Sequence, residues 1–113
     1  MSIVLVGGHD RMHSEYMGIC SKRGHDVKVY TQMPTKFDKV IGSPDGIVLF
    51  TSTVSHKMIH TAVKEAKRKK IPVFRSHSSS GASLDRLLDE LEEKNRSIQA
   101  ALDSAYKELT DLH

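Results

Sequence analysis

Two runs of apolar residues constrain the fold of this 113-residue chain more than any other feature. Residues 2–7 (SIVLVG) and 46–51 (GIVLFT) are short, nearly continuous and rich in β-branched side chains. Runs of this kind form strands that are buried on both faces, as in a parallel sheet. We therefore predict that a mainly parallel sheet lies at the centre of the fold.

The segments around these strands alternate between helical and extended patterns. Residues 10–23 and 55–70 carry apolar side chains at helical spacing and end in basic residues, which favours two helices. Residues 26–31 (DVKVYT) and 71–75 (IPVFR) are predicted to be two further strands. Residues 33–45 contain two prolines and a glycine, so this stretch is predicted to be mostly loop.

The resulting order of strands and helices predicts the fold class. Strands that alternate with helices imply parallel pairing with right-handed crossovers. We predict a small four-stranded, mainly parallel α/β sheet, Rossmann-like or flavodoxin-like, over residues 1–82. Residues 83–113 are predicted to be a separate C-terminal coiled-coil helix.

The tail carries a 4-3 repeat of apolar residues. Residues of the first set are spaced by seven and are Leu84, Leu91, Ile98, Ala105 and Leu112. Residues of the second set each follow one of these by four positions and are Leu88, Asn95, Leu102 and Leu109. A helix of this length spans about 45 Å, whereas a head of this size is only about 25–30 Å across. The stripe therefore extends beyond its own head. The simplest interpretation is that its first two turns pack on the sheet and that the rest pairs with another copy.

We predict that the tail pairs two copies of the chain. The predicted seam is formed by Leu84, Leu88, Leu91, Asn95, Ile98, Leu102 and Leu109. An asparagine in such a seam fixes the register of parallel dimers, so a parallel homodimer is favoured. The flanking positions show no strong ionic code, and an antiparallel pair or a four-helix arrangement remains open.

Composition narrows the class of protein. The formal net charge is only +3, but residues 1–80 carry a balance of +7 and residues 81–113 one of −4. This mild excess neither requires nor excludes nucleic acid. The single Cys20, predicted to lie in the core, excludes a disulfide framework and a Cys-only zinc site. The chain lacks a membrane-spanning run and a signal-peptide pattern, so we expect a cytoplasmic protein.

Polar loops follow three of the predicted strands. Ligands of open α/β sheets bind at the carboxyl ends of the strands, where these loops meet. The candidate ligand-binding residues are Gly7, Gly8, His9, Asp10, Ser55, His56, His77, Ser78, Ser79 and Ser80. Glycines and hydroxyl side chains at helix N-termini suit a phosphate-bearing anion. The alternative is that the serines only cap helices, with Ser55 or Thr53 before one helix and Ser80 or Ser83 before the next.

Five of the seven histidines fall near this edge, which leaves several functions open. His9, His13, His56, His60 and His77 are candidate ligands of a transition metal or haem, with metal-assisted hydrolysis as a variant. The same side chains also suit anion recognition or acid–base work, or they are solvated loop residues. His25 and His113 are predicted to lie on the surface. The basic run 64–70 is a possible nucleic-acid contact, although most such runs are solvated helix ends.

Three motifs that occur in order resemble a bacterial family. They are Val6-Gly7-Gly8-His9-Asp10, then Phe50-Thr51 with Val54-Ser55-His56, then Ile71-Pro72-Val73 with His77-Ser78-Ser79-Ser80 and Ser83-Leu84. Over roughly residues 1–90 the chain resembles a bacterial domain-of-unknown-function family of small Rossmann-like proteins with V-G-G and V-S-H motifs. The resemblance implies a bacterial cytosolic protein with a Rossmann-like sheet and supplies no activity. The tail looks like an extension beyond the shared domain.

From these patterns we expect a non-enzymatic, homodimeric binding or sensor module. Its small anionic ligand would bind at the carboxyl edge of the sheet, oriented by His9, His56 and His77. The metal or haem protein and the nucleic-acid-binding accessory protein are the two alternatives. Whether the chain catalyses a reaction stays open at this point.

Overall fold

A computed structural model describes residues 1–111 of the chain as a four-stranded sheet with helices on both faces. The predicted positions Leu112 and His113 lie outside the described residues. The elements are β1 (Ser2–Val6), a 3-10 turn (Asp10–Met12), α1 (His13–Lys22), β2 (Asp26–Tyr30), α2 (Phe37–Val40), β3 (Gly46–Phe50), α3 (His56–Lys69), β4 (Val73–Ser76) and α4 (Gly81–Asp111). Within the described residues no helix has both the length and the apolar composition to cross a bilayer.

All strand pairs are parallel, and the sheet order is β2-β1-β3-β4. The two continuous apolar runs form the central strands β1 and β3, and the alternating segment forms the half-exposed edge strand β2. The predicted fold class is therefore confirmed. A central parallel strand has side chains in both helical layers, which is why these two runs are apolar at nearly every position.

The central strands separate two hydrophobic layers. On β1, Ile3 and Leu5 face α1 and α4, whereas Val4 and Val6 face α2 and α3. The first layer also contains Tyr16, Cys20, Val48, Phe50, Leu84, Leu87, Leu88 and Leu91. The second also contains Phe37, Ile41, Ile47, Leu49, Met58, Ala62 and Ala66. This alternation is the two-residue period of a strand, used on both faces.

The segment between β2 and β3 is mostly loop, as predicted, but it also contains the short helix α2. Phe37, the first residue of α2, and Ile41, which follows the helix, are buried in the second layer. Four residues are too few to give a helical period, so no pattern could indicate this helix. Lys36 precedes it in a left-handed conformation, with φ of 57°.

The first part of α4 belongs to the core of the head. Leu84 and Leu88 are fully buried, and Leu91 is 2% exposed. These three positions of the predicted coiled-coil seam are therefore occupied by the chain's own sheet and α1. Any pairing between copies is restricted to residues beyond Leu91, which corrects the predicted seam. The predicted division at residue 82 stays a prediction.

Salt bridges connect α4 to the turn between α1 and β2. Arg23 contacts the carboxylates of Asp85, Asp89 and Glu92 at 3.1, 2.8 and 2.9 Å. The hydrogen bond to Asp89, the largest influence, raises the pKa of Arg23 above its ordinary value. This contact fixes the direction in which α4 leaves the head.

His25 joins the same ionic cluster, so its predicted place on the surface is wrong. The side chain is only 7% exposed, and its Nε2 lies 2.8 Å from Glu92. Its Nδ1 lies 3.1 Å from the N-terminal amine of Met1. The partner carboxylate is 67 residues away, and sequence spacing could not reveal the pair.

Gly46→Ala tests the close approach of β3 and α4. A Cβ atom at Gly46 would overlap the Cδ1 atom of the buried Leu91 and lie 3.1 Å from its Cγ atom. We expect the substitution to lower the free energy of unfolding by about 1–3 kcal/mol, because overpacked cores are strained. The matched control is Gly18→Ala on α1, where no atom lies within 4 Å. It should raise stability by about 0.5–1 kcal/mol. Urea denaturation checks both, and equal effects would contradict the packing.

Cys20 should be unreactive in the folded protein. Burial, the largest influence, raises the pKa of its thiol to about 11, and Arg23 lowers it only in part. The unfolded thiol ionises near pH 8.5, so burial of the neutral thiol stabilises the fold fully below that pH. That contribution is lost as the pH rises toward 11. At pH 8 we expect slow reaction with a thiol reagent in buffer and rapid reaction in urea. Equal rates in the two solvents would contradict burial of the thiol.

Candidate functional site

The turns after β1, β3 and β4 form one polar edge of the sheet, here called the polar edge and comprising residues 7–10, 51–55 and 77–80. β1 and β3 are neighbours, and the chain leaves them toward opposite sides of the sheet. Their carboxyl ends are therefore the topological switch point, where open α/β sheets bind ligands. The three predicted loops are thus brought to neighbouring strand ends.

Hydrogen bonds connect the three turns of the polar edge. The amide of Gly8 donates to Thr53 Oγ1 at 2.7 Å, which joins the first two turns. Ser52 Oγ donates to the carbonyl oxygen of His77, which joins the second and third. Tyr16 on α1 donates its hydroxyl to the carbonyl oxygen of Ser79 at 2.6 Å. These bonds connect the three turns and α1 to one another.

The two glycines of the first turn are required by packing within the chain. Gly7 and Gly8 have φ of 106° and 87°, a region that residues with a Cβ atom rarely adopt. A Cβ atom at Gly7 would lie 2.7 Å from Val54 Cγ1, and one at Gly8 would lie 2.6 Å from the Tyr16 ring. Both glycines are buried, and the close approach they allow is that of neighbouring side chains.

Serines cap the two helices that begin at the polar edge. Ser55 accepts a hydrogen bond from the amide of Met58 at 3.2 Å and caps α3. Ser80 accepts one from the amide of Ser83 at 3.1 Å, and its hydroxyl also contacts those of Ser78 and Ser83. The capping interpretation of these serines is correct, since each satisfies an amide that a helix leaves without a partner. It does not exclude a second role for the hydroxyl groups.

The structure places the predicted histidines in two regions. His9, His56 and His77 are exposed in or directly beside the turns of the polar edge, and His13 is exposed at the start of α1. His60 instead lines a cleft between α2 and α3. Among residues 1–111, no three His, Cys, Asp or Glu side chains form a group that is suited to hold a metal ion. The metal set predicted from the sequence therefore has no such cluster behind it in this part of the chain and stays a prediction.

Asp10, another predicted site residue, is engaged at the margin of the edge. Its carboxylate accepts hydrogen bonds from Thr31 Oγ1 and from Gln32 Nε2, the latter at 3.2 Å. Both partners follow β2, so Asp10 joins the β1 turn to the outer strand. A second carboxylate, that of Glu15 on α1, lies beside Gly81, the first residue of α4. A Cβ atom at Gly81 would be 3.2 Å from Glu15 Oε1.

A cleft between α2 and α3 was not indicated by the sequence. It has a volume of about 320 Å³, and its polar lining residues are Lys36, Asp38, His60, Thr61, Lys64 and Glu65. Opposite charges are mixed within it. Glu65 is already paired with Arg68 at 2.6 Å, and this hydrogen bond, the largest influence, lowers the pKa of Glu65. The cleft depends on α2, so only the structure could reveal it.

The basic run at the end of α3 is partly committed to contacts within the chain. Arg68 and Lys69 both contact Glu65, at 2.6 and 3.7 Å. Lys69 also donates to the carbonyl oxygen of Gly42. The run lies at the end of α3 that is remote from the polar edge, where cations complement the helix dipole.

The parallel sheet, its two helical layers and its polar switch point define a Rossmann-like domain. A de novo designed Rossmann fold protein has the same fold, with a TM-score of 0.56 over 82% of this chain and 99% of its own chain. The sequences are 19% identical, so this likeness shows the fold alone.

Residues 2–91 match the family described as "uncharacterized protein conserved in bacteria (DUF2325)", and the chain belongs to this family. The resemblance read from the sequence is thereby confirmed. The matched region ends at Leu91, which is also the last buried residue of α4 within the described chain.

One short segment matches a much longer mammalian protein. The TATA element modulatory factor of Mus musculus is 85% identical over 26 residues, which make up 23% of this chain and 2% of that protein. The chain thus spans about 2% of the length of this relative. A match of this extent shows a similar segment and carries no argument about function.

Ser80→Ala tests the cap at the polar edge. We expect the free energy of unfolding to fall by about 0.5–2 kcal/mol, because the amide of Ser83 loses its acceptor. Ser80→Asp should retain most of the stability, since aspartate is an equally good cap. Urea denaturation of both variants checks this. An unchanged midpoint for Ser80→Ala would contradict the capping role.

Proposed function

We propose that this protein is a non-enzymatic binding or sensor module that binds a small, phosphate-bearing anion at the polar edge. The observation that carries the proposal is the convergence of helical N-termini at the switch point. The 3-10 turn that leads into α1, the helix α3 and the helix α4 all begin in the turns after parallel strands. Each N-terminus carries partial positive charge and directs amides toward the same region.

The side chains around these N-termini support an anion rather than a cation. His9, His56 and His77 are exposed there, and their ring N–H groups are donors for hydrogen bonds to an anion. Ser78 and Ser80 present hydroxyl groups at the start of α4. The nearest carboxylate of the edge turns, Asp10, is held by Thr31 and Gln32 at the margin. The ligand contacts proposed here therefore come from histidines and serines.

The glycine turn has a narrower role in this proposal than the sequence suggests. The amide of Gly8 is already bonded to Thr53, so it is not assigned to the ligand. Gly7 and Gly8 instead make the first turn compact, because neither has a side chain. The ligand can then approach the N-termini of α3 and α4 closely. Glu15 opposes binding, because its carboxylate lies near the first residue of α4.

We further propose that the protein is a homodimer held by the distal part of α4. Ile98, Leu102 and Leu109 are 48%, 59% and 63% exposed on the single chain. Large apolar side chains in a periodic row are typical of helix–helix contacts. Among residues 1–111, no comparable feature supports the metal, haem or nucleic-acid alternatives.

Binding of AMP and inorganic pyrophosphate tests the ligand proposal. In two-dimensional NMR titrations we expect both probes to shift the amide signals of residues 8–10 and 77–82. His77→Ala should weaken binding about tenfold, the loss expected for one hydrogen bond to a charged group. His60→Ala, in the α2–α3 cleft, is the matched control and should leave the affinity unchanged.

Charge substitutions at the start of α4 sharpen this test. Glu15→Gln should strengthen binding of both probes, because it removes a competing carboxylate. Ser80→Asp should weaken binding while the helix remains capped. Signals that shift instead around Lys36 and Lys64 would move the site to the cleft. The absence of shifts at millimolar probe would contradict anion binding.

A further inference from the structure

The distal part of α4, residues 95–111, extends as a single helix beyond the contacts that Glu92 and Lys94 make with the head. It carries a row of exposed apolar side chains formed by Ile98, Leu102, Tyr106 and Leu109. The molecule measures 55 × 28 × 20 Å, and the long dimension reflects this extension. Pairing between two copies has two possible directions, and the geometry of the head distinguishes them.

The exposed row lies on the same face of α4 as the buried row. Leu91 and Ile98 are one heptad apart, and Leu88 and Leu102 are two heptads apart. Positions one heptad apart differ by only about 20° around a straight helix. The face that packs on the sheet at Leu84–Leu91 is therefore the face that is exposed at residues 98–109.

A parallel pair would bring the two heads into the same space. In that arrangement Ile98 of both copies would meet, and Leu91 of both copies would lie only about 10 Å along the axis from them. Each head covers the inner face of its own helix at Leu91, and the smallest dimension of the molecule is 20 Å. Two straight helices that touch at Ile98 leave no room for two heads between them at Leu91, which is only two turns away.

An antiparallel pair avoids this conflict. Ile98 of one copy then lies opposite Leu109 of the other, and Leu102 lies opposite Ala105, in four successive layers. The head of each copy covers the inner face of its own helix as far as Leu91, one heptad before Ile98. It therefore lies beyond the end of the other helix that carries Leu109. The flanking positions put Gln99 opposite Tyr106 and Ala101 opposite Glu108, with no like charges facing each other.

We propose that two copies of this chain pair as an antiparallel coiled coil through residues 98–109, with the two heads at opposite ends. The proposal rests on the self-association included in the proposed function and replaces the parallel direction that Asn95 favours in the sequence. Asn95 is exposed near the margin of the head, outside the four layers. The short seam makes the dimer concentration-dependent.

The shape of the dimer gives a first test, by sedimentation and small-angle X-ray scattering of the full chain. The antiparallel pair should have a maximum dimension of roughly 80–90 Å, calculated from the 55 Å length of one copy and the helical rise. A parallel pair would be little longer than one copy. Leu102→Glu should yield monomers with an unchanged far-ultraviolet spectrum, because this side chain is 59% exposed in the single chain.

Disulfide exchange between two variants tests the direction. Ile98→Cys and Leu109→Cys are prepared separately and incubated alone and mixed in a glutathione redox buffer; the native Cys20 is buried and does not interfere. We expect disulfide-linked dimers between the two variants in the mixture and little linkage in either sample alone. Ser104→Cys, exposed on the outer face, is the control for random collision.

The outcomes separate the two proposals. Linkage of Ile98→Cys with itself would overturn the antiparallel direction and leave the self-association intact. A wild-type chain that remains monomeric at millimolar concentration would overturn the self-association as well. A dimer that is unaffected by Leu102→Glu and by either cysteine would place the interface elsewhere and overturn the use of α4.

Discussion

The burial of one face of α4 against the sheet is the contact on which the rest of the structure depends. Leu84, Leu87, Leu88 and Leu91 close the hydrophobic layer that β1, β3 and α1 leave open. Gly46 permits this approach because it has no side chain at the point where Leu91 lies on the strand. Without α4, the part of the first layer that α1 does not cover would face water. The ionic cluster around Arg23 then fixes the direction of the helix, and Ser80 fixes its start.

The residues that hold the polar edge together are also those proposed to bind the ligand. The serines that cap α3 and α4 also bring hydroxyl groups to the switch point. The glycines of the first turn allow dense packing and make this turn compact. The edge is held together by Thr53, Ser52 and Tyr16, each of which bonds to a neighbouring turn. An edge that is organised before a ligand arrives loses little conformational entropy on binding. This organisation makes weak, reversible recognition of a small anion a suitable function.

Local patterns predicted the sheet, and long-range contacts account for what they missed. The runs at β1 and β3 are apolar because both faces of each strand are covered, and this pattern is visible in a single segment. Helix α2 spans only four residues, too short for a period, yet it supplies Phe37 to the core. The heptads of α4 identified a helix with one apolar face. They could not show that Leu88 packs on its own sheet whereas Leu102 is exposed, since both occupy the same heptad position.

In the candidate site, too, local patterns predicted one part and long-range contacts determine the rest. Placing Gly8, His56 and Ser78 at the carboxyl edge of the sheet required only parallel strands that alternate with helices, which the sequence predicted. The structure adds that β1, β3 and β4 are neighbours in the sheet. The sequence did not separate His56 from His60, because spacing on a helix does not say which neighbouring element each side chain meets. His25 lies away from the predicted edge, which is why the sequence placed it on the surface; its contact with Glu92 joins residues that are far apart along the chain. Tyr16 is buried, and the contact of its hydroxyl group with Ser79 depends on the position of α1.

The unbroken course of α4 has a mechanical consequence. The helix begins at the capped turn of the polar edge and continues through residue 111, so one rigid rod about 45 Å long connects the two ends. A tilt of about 5° about the leucine cluster would displace the far end, which lies about 30 Å further along the helix, by roughly 3 Å. The helix thus has the geometry of a lever arm whose fulcrum is the leucine cluster. A change of tilt at Ser80 would be larger at residue 111 than at the cap.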